Sequence, residues 1–274
     1  VFAFSIIAAF VGQIKGVLHI HLGHILFAWL LMSRVPLVGI SMSACLHRYF
    51  AHGAFKTSRA FQAVLAFISC FTWQGGCLWW ASMHIRHHSH CDQPDDPHSA
   101  TQTNMWYAWI GWNYYEHRID WMFLPRRLAT APEILFLNLC PTFVVFVTCK
   151  GIAAILSVEW ALFGMWIPSL LSGLASARFN VDYHPDTKQR ACRAIDRAEG
   201  DKGFGTIELT SWAFSLMKLT FKPLVGEAYH EDHHDHPRRA KRPGLDVPYL
   251  AFLRPLEAMG LIWDLQDIAP YEPD

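Results

Sequence analysis

The sequence predicts an all-α integral membrane protein, with four transmembrane helices beneath a helical polar cap that gathers most of the histidines. Three observations predict it. Apolar runs approaching the roughly 20 residues a bilayer-crossing helix needs occupy 1–14, 25–46, 134–149 and 152–177. Positive charge is one-sided: apart from Lys15, Arg34 and Lys150, every Lys and Arg falls within 47–133 or 178–274. Most of the 16 histidines lie in those same two polar stretches.

The first run, VFAFSIIAAFVGQI, opens the chain without a Met, so we expect a truncated or processed start, with room for a targeting signal among the removed residues. Lys15 marks a turn, and 25–46 returns across the membrane with Arg34 inside it. The runs 134–149 and 152–177 form a second hairpin turning at Lys150, with Glu159 inside its second arm. The alternative is a set of buried helices in a large soluble core. The charge bias matches a cytoplasmic or stromal face. All of 1–274 is thus expected to form one domain, the cap being built from 47–133 and 178–274.

A fifth run, 60–83, carries no charge. If it crossed once, residues 47 and 52 would face the side opposite to 84–88, and it is too short to cross and return. It is therefore expected to lie in the interface or fold back under the cap, interrupted at Gly75 and Gly76. Amphipathic stretches are expected near 101–124 and 207–225. In the first, Trp106, Trp109 and Trp112 recur at i, i+3 and i+6, broadly on one helical face, which suits either the headgroup zone or an aromatic core stripe. The tail QDIAPYEPD reads as a polar terminus.

Lys and Arg (23) balance Asp and Glu (23), which gives no overall charge to attract nucleic acid. The seven cysteines, at 45, 70, 77, 91, 140, 149 and 192, form no CxxC pair. Three lie in apolar runs, so buried thiols rather than a secreted disulfide framework are expected.

The histidines concentrate in HRYFAH (His47, His52), HIRHH (His84, His87, His88) and HEDHH (His230, His233, His234). Positions i, i+3 and i+4 share a helical face, so each H-x-x-H-H unit is expected to aim three imidazoles at one point. His47 and His52, five apart, lie somewhat past one turn and can still converge if the helix loosens near its end. Eight imidazoles exceed one metal's needs, and two metals sharing them is the economical reading. Imidazole suits Zn, Fe, Cu and Ni alike. HExxH is absent, which disfavours a zinc protease without excluding a hydrolase, and no cysteine falls inside the clusters as structural zinc would favour. Many neutral ligands at an interface favour a redox di-iron centre that activates dioxygen. ARFNVDYH adds Asn180 and, as a candidate ninth ligand, His184. Isolated histidines such as His19, His21, His24 and His117 read as surface or core residues. His90, His98 and His236 border the clusters as possible hydrogen-bonding supports.

Together HRYFAHGAFK (47–56), HIRHHSHCDQPDDPH (84–98), NVDYH (180–184) and GEAYHEDHH (226–234) resemble the membrane-bound fatty acyl desaturases, specifically the stearoyl-CoA (Δ9) desaturase-like branch. The resemblance runs from residue 25 to about 265. It implies a mushroom-shaped fold of four transmembrane helices under a cap holding two irons. By similarity, His47, His52, His84, His88 and His233 hold one iron; His87, His184, His230 and His234 hold the other, with Asn180 reaching it through a water. Asp92, Asp95 and Asp96 are expected to set histidine tautomers or brace Arg side chains. The second box departs from the family at Met83 and Ile85, where many relatives carry basic or polar residues, and QGGCLWW is similar to lipid- or plastid-type members.

The implied reaction removes two hydrogens from a saturated acyl chain, as acyl-CoA or lipid, using O2 and two electrons. The donor would be cytochrome b5 or ferredoxin, expected as a separate protein because no HPGG haem motif occurs. The implied site is a multi-pass endoplasmic reticulum, plastid or thylakoid, or bacterial inner membrane, with the centre on the cytosolic or stromal side. The alternatives are a hydroxylase with the same histidine pattern and a non-catalytic metal-containing subunit of a larger membrane assembly.

Overall fold

In the computed structural model, the described residues are 18–115, 118–184 and 229–266, with short pieces at 8, 11–13, 15–16, 192, 194 and 225–227. Apart from those pieces, the expected span at 1–14, the stretch 207–225 and His117 lie outside them, as does the tail from 267.

Helix α1 runs through Leu22–Leu26 and Phe27–Ala51. It covers the expected run 25–46 and ends on the first histidine pair; the side chains of 29–34, Arg34 among them, lie outside the described residues. Phe27–Ala51 is wound wide along its length rather than only near its end, and at that end the His52 N–H donates to the His47 carbonyl at 3.2 Å, five residues back. Five steps of a regular α-helix would leave the two about 140° apart. The wider turn draws them toward one side, which lets the pair converge.

The uncharged run 60–83 is broken where the glycines fall. Helix α2 (Arg59–Ser69) starts at Ser58, whose Oγ accepts from the Phe61 N–H at 3.2 Å. After a short turn at Cys70–Thr72, α3 (Cys77–His90) leaves at 76° to the preceding helix. At the break Trp73 and Gly75 take φ of +55° and +74°. Gly76 lies flat against Asn138, and any Cβ there would collide with it. The Asn138 Oδ1 accepts from the N–H groups of Leu78 (2.8 Å) and Trp79 (3.0 Å), supplying the cap that Gly76 cannot.

The second hairpin differs from expectation in register. Helix α4 (Trp112–Tyr115) continues the turns of Tyr107–Gly111, and α5 (Leu135–Leu139) then meets α6 (Pro141–Ile155). A 78° bend separates Pro132–Leu139 from Pro141–Ile155. The run 134–149 is therefore not one straight helix, because Pro141 disfavours the helical conformation at Cys140. The turn falls at Leu156 and Ser157, which leaves Lys150 exposed within α6 rather than in the turn. Helix α7 (Val158–Asp182) starts six residues later than expected. Ser157 caps it, its Oγ accepting from the Trp160 N–H at 3.3 Å, and Glu159 sits in the first turn, where a carboxylate suits the helix dipole, accepting from the His19 N–H at 2.8 Å.

Among the described residues, α7 is the one unbroken helix found long and apolar enough to cross a membrane; counting each bent pair as one span gives up to three. On α6, Phe143, Phe146, Val147 and Ile155 are exposed, an apolar surface of the kind that meets lipid. The tryptophans divide: Trp106 and Trp121 are exposed at 60% and 65%, while Trp112 is buried and stacks on Trp79 with ring centroids 5.2 Å apart.

The cap core packs Leu46, Phe50, Phe55, Leu65, Met83, Leu128 and Ile134 against Leu253 and Ile262. Helix α8 (His230–Asp235) buries His230, Asp232 and His233 outside this core, and α9 (Arg254–Ala258) completes it through Leu256. So does an antiparallel pair of two-residue strands, β1 (Lys56–Thr57) and β2 (Ile262–Trp263), with Lys56 opposite Trp263. One buried cation fixes the first box to the third. Arg48 donates to Asp246 and to the carbonyls of Ala240 (2.7 Å) and Gly226 (3.1 Å). Gly226 lies at φ +71°, and a Cβ there would meet both Arg48 and Asp246.

Candidate metal centre

The wide end of α1, the C-terminal half of α3, the end of α7 and the whole of α8 deliver nine histidines to one place. They form two neighbouring clusters. In the first, the inward nitrogens of His47, His52, His84, His88 and His233 lie within 4.8 Å of one another. Their Nε2 atoms stand 2.7 Å apart for His47 and His233, 3.0 Å for His52 and His84, 3.1 Å for His84 and His88, and 3.0 Å for His88 and His233. In the second, the Nε2 of His230 is 2.8 Å from that of His184 and 3.1 Å from that of His234. The His87 ring closes the group, 4.9 Å from His184 and 5.2 Å from His234 by centroid. The clusters touch where His88 stacks on His234, centroids 4.2 Å apart.

The H-x-x-H-H units do not aim all three imidazoles at one point. In α3, His84 and His88 turn to the first cluster and His87 to the second; in α8, His230 and His234 turn to the second and His233 to the first. Residues four apart differ by about 40° around a helix, whereas residue i+3 sits about 100° from i+4. Each unit therefore splits two against one, in opposite senses on the two helices.

Three carboxylates behind the rings fix their tautomers. The Nδ1 of His87 lies 2.9 Å from Asp96 Oδ2, that of His184 lies 2.9 Å from Asp92 Oδ2, and that of His47 lies 3.0 Å from Glu227 Oε2. An Nδ1–H given to a carboxylate leaves Nε2 as a bare lone pair. Burial holds His230, His233 and His234 well below the ordinary histidine range, so these rings stay neutral. Burial would raise the Glu227 carboxyl, but His47 and Arg242 outweigh it and bring it down to about 2. Likewise burial opposes, and His87 overrides, to hold Asp96 below the usual carboxylate range.

This donor set fits a metal. Two nitrogens about 2.1 Å from one ion and at right angles to it are about 3.0 Å apart, and the Nε2 contacts cluster at that spacing. Buried acceptor lone pairs converging without donors among them need a cation. Among the described residues the Nδ1 atoms of His230 and His233 are buried without a partner, so these two rings lack the carboxylate brace that His47, His87 and His184 have.

Of the aspartates the sequence singled out, Asp92 and Asp96 face histidines. Asp95 instead meets an arginine, the other expected role: it is exposed, its Oδ1 lies 3.9 Å from Arg86 Nη2, and its carbonyl accepts from Arg86 Nε at 2.8 Å. Glu227, missed as a candidate, is the third brace; its signal was its place three residues before HEDHH. His98 is buried against His87, centroids 4.3 Å apart. His90 turns back to the Arg86 carbonyl at 3.3 Å, and His236 sits 3.6 Å from Asp232. Asn180 joins no cluster; its Nδ2 donates to the Ala108 carbonyl at 3.4 Å, and it lines a cavity of about 40 Å³ beside His84, His87 and His184. A groove of about 850 Å³ lies beyond, lined by Trp73, Trp79, Trp109, Arg118 and Leu170. Trp79 of the groove stacks on Trp112 of the cavity wall.

Against expectation, two cysteines are joined: Cys91 and Cys192 form a disulfide, while Cys45, Cys70, Cys77, Cys140 and Cys149 are free. Cys91 directly follows the second box, where an apolar-run argument says nothing about it.

A family model described as fatty acid desaturase matches residues 23–255. The chain is 29% identical over 268 residues to the hex-5-enoyl-[acyl-carrier protein] acetylenase of Moorena producens (strain JHB), covering 86% of this chain and 76% of that protein. It is 26% identical to the chloroplastic palmitoyl-monogalactosyldiacylglycerol delta-7 desaturase of Arabidopsis thaliana, with 84% of this chain and 58% of that one covered. To the sn-2 palmitoyl-lipid 9-desaturase of Nostoc sp. (strain 36) it is 24% identical, covering 73% and 67%. The chain thus spans less than two thirds of the plant relative's length. It belongs to the fatty acid desaturase family.

Proposed function

We propose that this chain, as a member of the fatty acid desaturase family, introduces a cis double bond into a long-chain saturated acyl group at a di-iron centre. The carrying observation is the double cluster of nine converging imidazoles, braced from behind by Asp92, Asp96 and Glu227. A bound iron pair would supply dioxygen activation and the abstraction of two hydrogens from adjacent methylenes. In the balance, –CH2–CH2– becomes –CH=CH–, and O2 with two electrons and two protons leaves with those hydrogens as two waters.

His47, His52, His84, His88 and His233 would hold one iron. His87, His184, His230 and His234 would hold the other, with Asn180 reaching it through a water. The three carboxylates keep protons on the outer Nδ1 atoms, so the inner nitrogens stay free to ligate. Trp80 stacks on His84 with centroids 4.6 Å apart, and with Met42 and Phe179 it keeps the cavity wall apolar. The acyl chain enters along the tryptophan-lined groove, and a glycerolipid carrier is favoured by the QGGCLWW run.

In the same reading α1, α6 and α7 join the N-terminal run as four spans, the cap lying on the cytosolic or stromal side. The membrane is that of the endoplasmic reticulum, a plastid or thylakoid, or the bacterial inner membrane. Electrons arrive from a separate cytochrome b5 or ferredoxin. A second reading is favoured by one relative being named an acetylenase: the same two-hydrogen removal from a chain already unsaturated. Expression in a host lacking the activity, followed by mass spectrometry of its lipids and thioesters, tests both. Loss of two hydrogens supports desaturation, and the double-bond count of the substrate separates alkene from alkyne formation. Gain of an oxygen would show a hydroxylase instead. His87→Ala and His234→Ala should abolish the product while the protein stays in the membrane; retained product would overturn the ligand assignment.

A further inference from the structure

The Cys91–Cys192 bond joins the residue that ends the second histidine box to the segment between His184 and His230, 101 residues away. Both sulfurs stand behind rings of the second cluster. Cys91 Sγ lies 3.7 Å from His184 Nδ1, and Cys192 Sγ lies 3.5 Å from His234 Nδ1. His184 already has Asp92 at that nitrogen. His234 has no carboxylate there: among the described residues, Cys192 stands in the position that Asp96 and Asp92 hold for His87 and His184.

A disulfide sulfur is a poor hydrogen-bond acceptor, whereas a thiol both donates and accepts and a thiolate accepts strongly. The oxidation state of this pair therefore decides whether His234 has an effective outer partner. Partners at that position orient a ligating ring and raise its basicity. We propose that Cys91 and Cys192 are a reversible redox pair that tunes the second metal site through His234.

The reductant is a dithiol protein of the thioredoxin class. Cys91 is buried and Cys192 half-buried, so the incoming thiolate attacks Cys192 Sγ. The Cys91–Cys192 bond breaks, and Cys91 leaves as a thiolate and takes up a proton. The reductant's second thiolate then resolves the mixed disulfide, freeing Cys192, which takes up the second proton. Two electrons pass in all: the protein disulfide becomes two thiols and the reductant's dithiol becomes a disulfide.

The inference rests on reading His184 and His234 as metal ligands, but the first measurement does not. Full-length iron-loaded protein in detergent is equilibrated across ratios of reduced to oxidised dithiothreitol. Differential alkylation with mass spectrometry then reads Cys91 and Cys192. One joint two-electron transition is expected, and the iron absorption spectrum and the rate of iron loss to a chelator should move with it. In Cys192→Ser and in Cys91→Ser the spectrum should not respond to the ratio, and alkylation of the five other cysteines checks that each variant is folded. Two cysteines that stay alkylatable at every ratio would overturn the pair. A transition that leaves spectrum and iron loss unchanged would overturn the tuning and make the bond structural only. Iron that never binds, with the thiol transition intact, would count against the ligand reading instead.

Discussion

Asp96→Asn isolates what a carboxylate brace contributes. Asp96 is buried, and its Oδ2 accepts from His87 Nδ1 (2.9 Å) and from the Asp92 N–H (2.8 Å), while Oδ1 accepts from the His98 N–H (3.0 Å). Asn keeps the shape but offers one accepting atom where three donors converge. If its amide oxygen serves His87, its NH2 group faces the His98 N–H; if it flips, His87 must present Nε2–H to the metal. A charge-assisted bond of this kind is worth about 1.5–3 kcal/mol. Loss of an outer partner commonly costs about 10- to 100-fold in metal affinity, which is about 1.4–2.7 kcal/mol. The two ranges overlap: with the oxygen toward His87 the charge assistance and the His98 bond are lost, and with it toward His98 the His87 and Asp92 bonds are lost, so a loss of about 10- to 100-fold is expected. Purified protein titrated with Fe(II) and assayed for bound iron gives the affinity, with product formation as a second readout. Asp95→Asn is the control from the same loop, exposed and remote from histidines, with an expected effect under about 0.5 kcal/mol. Wild-type iron affinity in Asp96→Asn, or an equal loss in Asp95→Asn, would refute the tautomer argument.

The acid limit has a definite sign. His230, His233 and His234 are held below 6.5 by burial, so the unfolded chain binds protons before the folded one. Stability and metal retention should be full above pH 6.5 and fall as the pH drops below it, read as melting temperature and bound iron at pH 7.5, 6.5 and 5.5. Gly76→Ala should cost about 1–3 kcal/mol, seen in thermal unfolding, because Asn138 must move and surrender its bonds to Leu78 and Trp79. Cysteines placed at Lys56 and Ser89 should react with a membrane-impermeant reagent from the same side; labelling from opposite sides would mean that 60–83 crosses.

Much of this was legible in the chain because it depends on local spacing. Histidines three and four apart on a helix must share a side. An uncharged run interrupted by two glycines breaks there, and the first box could converge if its helix loosened, as it does along Phe27–Ala51. The tertiary structure decided what spacing leaves open. Which cluster each imidazole joins depends on how α3 and α8 face one another across the site, a relation between helices more than 130 residues apart. Glu227 became a brace because α1 holds it from two positions, Arg48 donating to the neighbouring Gly226 carbonyl and Ser43 to the Glu227 carboxylate. The helix ends near Cys140 and Ser157 were set by a proline and a capping serine inside continuous apolar sequence, where hydropathy has no edge to detect. The Cys91–Cys192 pair was invisible for the same reason: no periodicity connects residues that only the folded cap brings together.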